Sequence, residues 1–356
     1  MPHEDIFGEA PPRRILAVKL SSFGDLVQTT ASLRALRRAF PAADIRVAVE
    51  RRWAPLLAAC PDVNGVIEAS SRQRLTPRYL WEVRRLLAEA RRGLGSFDLA
   101  LDFQGTQRSA AWIYLSAARI KAGRGTLRPG WRAVVATDRT RHAVRGYADV
   151  CECIGIAAGD LGPVLHTSPE DEARIDAVLD RDRLPRSGFV VLNPFCAWRS
   201  KSWDEQRAAE LAAQVASTTN CTVVVSGGDG ERSLAADVVR LAGHEKVSSL
   251  AGRLSLGEAL CLFRRARLMI SCDSGPMHAA AALGTPVVAL FGPTLPEHTG
   301  PWGSGHRVVQ ASRPGDHHAY RFDHTRQHMA ALGVPPVADA VEAALYATAA
   351  SAATPR

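Results

Sequence analysis

Four short turns carry the residues that could do chemistry, and each leaves an apolar run and enters a helical pattern. In the first, Ser21-Ser22-Phe23-Gly24-Asp25, a carboxylate stands at the expected start of a helix. Asp25 reads either as a helix-terminal acid stabilised by the dipole or as a general base for an acceptor hydroxyl. The second runs from Asn193 to Trp203 (NPFCAWRSKSW). Lys201, placed just before a helix, could set an ammonium on a diphosphate with help from that helix N-terminus. By itself it is a surface lysine. The third, Ser226-Gly227-Gly228-Asp229-Gly230-Glu231, offers Asp229 to ribose hydroxyls, or is only a Gly/Asp turn. The fourth is Asp273-Ser274-Gly275-Pro276-Met277-His278. Here Ser274 can cap, Pro276 suits the first helical turn, and Gly275 lets a phosphate approach free backbone N–H groups. A well-capped buried helix is the plainer reading, and His278 alone reads as an interior histidine.

Together the turns supply anion donors, a cation and carboxylates, with no metal-ligand spacing. That set suits stabilisation of a diphosphate leaving group by helix termini and Lys201, without an obligatory metal. After the first apolar run only Gly24 is present where a GxGxxG fingerprint would be needed, which argues against NAD or FAD.

The elements that must position these turns alternate. Residues 15–20, 45–50, 63–69 and 97–103 read as strands, with helices over 26–40, 78–94 and 109–118. A second series gives strands at 189–194, 222–226, 268–272 and 286–291. Its helices fall at 169–184, 203–217, 255–266 and 275–283, with a last one at 337–350. Such alternation implies α/β folding with parallel sheets, and 356 residues are enough for two units. Gly159, Gly162 and Pro163 mark the boundary. The expected organisation is an N-terminal extension over 1–13, Rossmann-like domains over 14–166 and 167–336, and a C-terminal helix and tail over 337–356. Ligands should bind beyond the strand C-termini.

Composition excludes several classes. A hydrophobic fraction of 46% with 22% charged residues is that of a globular protein. The seven cysteines show no repeated CxxC pair and read as reduced thiols of a cytoplasmic protein. The opening MPHEDIFGEAPPRR resembles no signal peptide, and the longest apolar run, 268–291, is broken by Asp273, His278 and two prolines. Charge is uneven: residues 1–166 hold 25 Lys and Arg against 16 Asp and Glu, the remainder 19 against 20. The first half is either Arg-rich with solvated helix faces or meets something anionic. Nucleic acid is not expected, since aromatics do not interleave with the arginines.

At these residues the chain resembles the ADP-heptose:lipopolysaccharide heptosyltransferases, glycosyltransferase family 9, over roughly 14–350. The most specific block is 250–303; SSFGDLVQT and SKSWDEQ support it. The resemblance implies an inverting GT-B enzyme with parallel sheets facing across a cleft. It implies Asp25 as catalytic base and Lys201 as a catalytic diphosphate contact. Donor contacts fall to Asp229, Asp273, Ser274, Gly275, Pro276, Met277, His278 and Thr294. Acceptor contacts fall to Ser22, Gly24, Arg108 and Arg124, facing Kdo or phosphate on a lipid A core. No cofactor is obligatory beyond the nucleotide sugar; a divalent metal is admitted but not required. Peripheral contact with the inner membrane surface is admitted too. His317, His318, His324 and His328 form either a surface loop or a metal site, and no metal is expected.

Two other readings stay open. One keeps GT-B but uses another nucleotide sugar on a secondary-metabolite, O-antigen or protein acceptor. The other is a non-catalytic nucleotide-sugar binder or interaction scaffold.

Overall fold

The computed structural model describes residues 7, 10–70, 75–91, 96–126, 128–138, 140–158, 161–311 and 327–353. Its contacts divide the chain into two units, Met1–His166 and Thr167–Arg356.

In the first unit the strands are β1 (Arg14–Val18), β2 (Asp44–Glu50), β3 (Gly65–Ala69), β4 (Leu99–Asp102), β5 (Ile120–Arg124) and β6 (Ala133–Val135). They form one parallel sheet in the order β3-β2-β1-β4-β5-β6. The helices are α1 (Phe23–Ala39), α2 (Pro77–Arg91), α3 (Gln107–Leu115) and α4 (Ala143–Glu152). Every residue of β1 and β4 is buried, as expected for central parallel strands covered on both faces. One face packs Leu16, Val18, Tyr79, Val83, Leu87 and Trp112 together. Within it Trp112 Nε1 donates to Tyr79 Oη at 2.8 Å.

The second unit contains β7 (Val190–Asn193), β8 (Val223–Val225), β9 (Val247–Ser249), β10 (Leu268–Cys272), β11 (Val287–Phe291) and β12 (Arg307–Gln310). Their order is β12-β11-β10-β7-β8-β9, again all parallel. Its helices are α5 (Pro169–Arg181), α6 (Glu205–Thr219), α7 (Arg232–Ala242), α8 (Leu256–Arg265), α9 (Gly275–Ala282), α10 (Pro296–Thr299), α11 (Gln327–Ala330) and α12 (Val334–Ala353). The last buries Val337, Val341 and Leu345 in the same core as Val288 and Leu290.

Both sheets therefore have the same doubly wound order. In each, the order reverses beside the first strand: between β1 and β4, and between β7 and β10. Ligands of such sheets bind at that switch point, beyond the strand C-termini. Each unit is a Rossmann-like α/β fold.

The sequence reading lacked β5, β6, β9, β12, α4, α7, α10 and α11. The first four are three to five residues long, and Gly146 interrupts the helical pattern of α4. One expectation is corrected. Lys201 is not at the mouth of the helix that follows it: it ends a 3-10 turn over Arg199–Lys201, and α6 begins only at Glu205. That N-terminus is already capped, because the Asp204 carboxylate accepts from the backbone N–H groups of Gln206 and Arg207. Two of its first N–H groups are thus taken by a side chain of the protein itself. Of the histidine cluster, His317, His318 and His324 lie outside the described residues, as do Gly159 and most of the extension over 1–13.

Candidate functional site

In the first unit the site gathers where β1, β4 and β5 end. Asp25 is the third residue of α1, and its Oδ2 accepts from the Ser22 backbone N–H at 3.2 Å and the Ser22 hydroxyl at 2.9 Å. So it is the acid of a capping box, a local role the sequence reading gave only as a helix-terminal acid. It is more than that. Tyr147 Oη, from α4, donates to Asp25 Oδ1 at 2.8 Å, and the Lys19 ammonium lies 3.7 Å from Oδ2. Burial by itself would raise this carboxyl. The Lys19 charge, with the hydrogen bonds from Tyr147 and Ser22, outweighs burial and brings it down to about 2. The side chain keeps 41% of its exposure, so an incoming hydroxyl can reach it.

Lys19 is almost wholly buried, and that burial lowers its own pKa. Gln104 Oε1 accepts from Lys19 Nζ at 3.3 Å and from the Ser21 N–H at 3.1 Å, tying the end of β4 to the end of β1. The turn carrying Gln104 is anchored by Asp102, whose Oδ1 accepts from the N–H groups of Gln104 and Gly105 and whose Oδ2 accepts from Ser109 Oγ. Arg124 places its guanidinium 4.8 Å above the Tyr147 ring. Beside this cluster opens a cleft of about 400 Å³ lined by Leu20, Ser21, Gln104, Thr106, Arg108 and Leu75 among others. Arg108 is not a loose cation: it pairs with the buried Glu50 at 3.3 Å, as Arg52 does at 2.8 Å.

In the second unit the site gathers where β7 and β10 end. Asp273 Oδ2 accepts from Lys201 Nζ at 2.7 Å and Thr294 Oγ1 at 2.7 Å. Burial pushes this carboxyl up, but the charges of Lys201 and His278 and the Lys201 and Thr294 hydrogen bonds leave it below its usual range. Ser274 occupies the N-cap position of α9 without capping it. This corrects the expectation of a side-chain cap. The Ser274 hydroxyl is engaged instead with Ser271 Oγ at 3.2 Å and with the Asn193 amide at 3.5 Å. In the first turn of α9 Pro276 has no N–H and the His278 N–H goes to the Ser274 carbonyl at 3.4 Å, so the donor the turn offers an anion is the Gly275 N–H. Met277 is fully buried and His278 nearly so.

The structure thus brings Asp273, Ser274, Gly275, Lys201 and Thr294 together, with His278 next to them. It brings Asp25, Ser22 and Arg124 together, and Gly24 lies in the same first turn of α1. Asp229 is apart, 88% exposed in a 3-10 turn after β8 and paired with Arg232 at 3.0 Å. Lys19, Tyr147, Gln104 and Asn193 were missed. Lys19 gave a signal, a lysine ending the run ILAVK; Tyr147 gave none, because its partner is 122 positions away.

Among the described residues no group of three or more His, Cys, Asp or Glu could hold a metal ion, and no helix is long and apolar enough to cross a membrane. The family model for glycosyltransferase family 9 (heptosyltransferase) matches residues 85–326. Lipopolysaccharide heptosyltransferase 1 of Pseudomonas aeruginosa is 30% identical over 302 residues, covering 82% of this chain and 81% of that protein. The E. coli ADP-heptose lps heptosyltransferase II structure superposes with a TM-score of 0.76 at 25% identity, covering 94% and 98% of the two chains. A glycosyl transferase family 9 structure from Veillonella parvula reaches a TM-score of 0.85 at 22% identity over 94% and 97%. With two doubly wound sheets, an open helix N-terminus beside a lysine, and these matches, the chain belongs to glycosyltransferase family 9, the heptosyltransferases.

Proposed function

We propose that this glycosyltransferase moves a heptose from ADP-heptose to a hydroxyl of a lipopolysaccharide core acceptor, with inversion at the anomeric carbon. The observation that carries the reading is the uncapped N-terminus of α9 beside the Lys201 ammonium and Asp273. It is a site for a diphosphate whose charge grows as the glycosidic bond to it breaks. The names of the relatives, lipopolysaccharide heptosyltransferase and ADP-heptose lps heptosyltransferase, support this donor and this class of acceptor. Lys201 and the α9 backbone hold the diphosphate, Asp273 holds Lys201 and is itself held by the Thr294 hydroxyl, and Asp229 meets the ribose.

Asp25 takes the proton of the attacking hydroxyl. Its low pKa makes it a weak base, yet sugar transfer proceeds through a positively charged, dissociative centre, so late proton removal needs position more than basicity. The cleft lined by Arg108 receives the acceptor, with Arg108 and Arg124 supplying positive charge for its anionic groups. A divalent ion is admitted but not needed. A lipid-linked acceptor brings the chain to a membrane surface, and the outer face of α2 suits peripheral contact there: Trp81 is 65% exposed, flanked by exposed Arg78, Arg84 and Arg85.

Melting curves with ADP, ADP-heptose and UDP- and dTDP-sugars test the reading. A ligand at 100 times its Kd adds about 2.7 kcal/mol of stability to the native state. ADP and ADP-heptose should raise the melting temperature and the others should not. A shift with UDP- or dTDP-sugars and none with ADP would sink it.

A further inference from the structure

We infer that Tyr147 is a positioning residue for the base: its hydroxyl fixes Asp25 so that the one open acceptor site of the carboxylate lies on Oδ1. The inference rests on the reading of Asp25 as general base.

An ionised carboxylate has about four acceptor sites, two on each oxygen. The Ser22 N–H and hydroxyl occupy both sites on Oδ2. Tyr147 occupies one on Oδ1. Among the described residues that leaves one site, next to the tyrosine hydroxyl, for the acceptor O–H. When that hydroxyl attacks, its proton moves to Oδ1, its oxygen bonds the anomeric carbon, and the bond to the diphosphate breaks with its electrons going to ADP.

The tyrosine is itself rigid. It is 4% exposed, with the Arg124 guanidinium 4.8 Å and the Lys19 ammonium 5.1 Å from the ring centroid. Its helix packs against α1, and Cys151 Sγ approaches the carbonyl of Ser32 at 3.7 Å. Lys19 from the end of β1 is the charge facing the carboxylate, Arg124 from β5 faces Tyr147, and Asp102 from β4 faces Lys19. None of them touches Oδ1 as Tyr147 does. Without the tyrosine hydroxyl, Oδ1 has no partner among the described residues, and the carboxylate is held only through Oδ2, by Ser22 and the Lys19 charge.

Tyr147→Phe removes the hydroxyl and keeps the ring under Arg124. Its test is ADP release from ADP-heptose with Kdo-bearing lipid A, using the full chain as wild type, Tyr147→Phe, Asp25→Asn and the double variant. A hydrogen bond to a charged group is lost, so kcat should fall ~10-fold or more while both KM values stay within ~3-fold. In the Asp25→Asn background the same change should cost nothing further, because the group it positions is gone. Turnover of Tyr147→Phe within ~2-fold of wild type overturns the inference, and so does an equal loss in both backgrounds. Full turnover by Asp25→Asn shows instead that the base is misassigned. If wild type releases no ADP, the reading beneath falls and this inference with it.

Discussion

Lys201 Nζ lies 2.7 Å from Asp273 Oδ2, with 13% and 6% of the two side chains exposed. The two groups come from loops that follow neighbouring strands, β7 and β10, on either side of the switch point. Neither charge would be comfortable there without the other, since removing one partner of a buried pair leaves an uncompensated ion. The pair thus keeps an ammonium ready beside the open end of α9.

Lys201→Met is expected to reveal both halves of this role. Loss of the cation should destabilise the fold by about 3–5 kcal/mol, because Asp273 stays buried. The KM for ADP-heptose should rise at least ~10-fold, as expected when a charge-assisted contact to phosphate is removed. Melting curves and donor titrations check the two separately. Lost stability with an unchanged donor KM would make Lys201 a structural partner of Asp273 and nothing more.

Arg108→Gln addresses the acceptor side. Its guanidinium spans the buried Glu50 and the wall of the cleft. The acceptor KM is expected to rise while the donor KM holds, and added salt should narrow the difference because exposed charge is screened over ~8–10 Å. Equal changes in both KM values would return this arginine to a purely structural pair with Glu50.

Asp102 gives the chain a pH dependence of known sign. Burial pushes its carboxyl up to about 6, against the hydrogen bonds it accepts. The folded state therefore holds this proton more tightly than the unfolded chain does, and stability falls as pH rises from ~4 to ~6. Asp102→Asn removes this contribution. The difference between the melting curves of variant and wild type should move in the variant's favour over that interval, by about 3 kcal/mol for a shift of about two pKa units. A difference that stays flat with pH would contradict it.

How far the sequence reached depends on whether a residue's partner is local. Asp273, Ser274 and Gly275 are legible because strand, turn and helix are consecutive, and the same is true of Asp25 in its capping box. The helix N-terminus that would serve Lys201 was misplaced by a few residues, since Trp203 reads as helical periodicity while it is packed in the core and Asp204 caps. The lysine's real neighbour is Asp273, 72 positions away, which no spacing rule connects. Tyr147 and Gln104 are invisible for the same reason: only the sheet order brings β4, β5 and α4 to the end of β1. The basic first half was ambiguous by charge alone. Among its 25 basic residues are six arginines paired within the unit, Arg14 and Arg46 on Asp44, Arg51 on Glu68, Arg52 and Arg108 on Glu50, and Arg141 on Asp149.

The account stands or falls on Asp25. The measurement is steady-state ADP release by Asp25→Asn, below its melting temperature, with ADP-heptose and Kdo-bearing lipid A. A general base contributes ~10²–10⁴-fold, so kcat should fall by at least ~100-fold with the donor KM near wild type. Some stability should also be lost, because Lys19 is left buried beside a neutral amide. Turnover within a few-fold of wild type, with only the stability loss, would reduce Asp25 to the acid of a helix cap and contradict the mechanism.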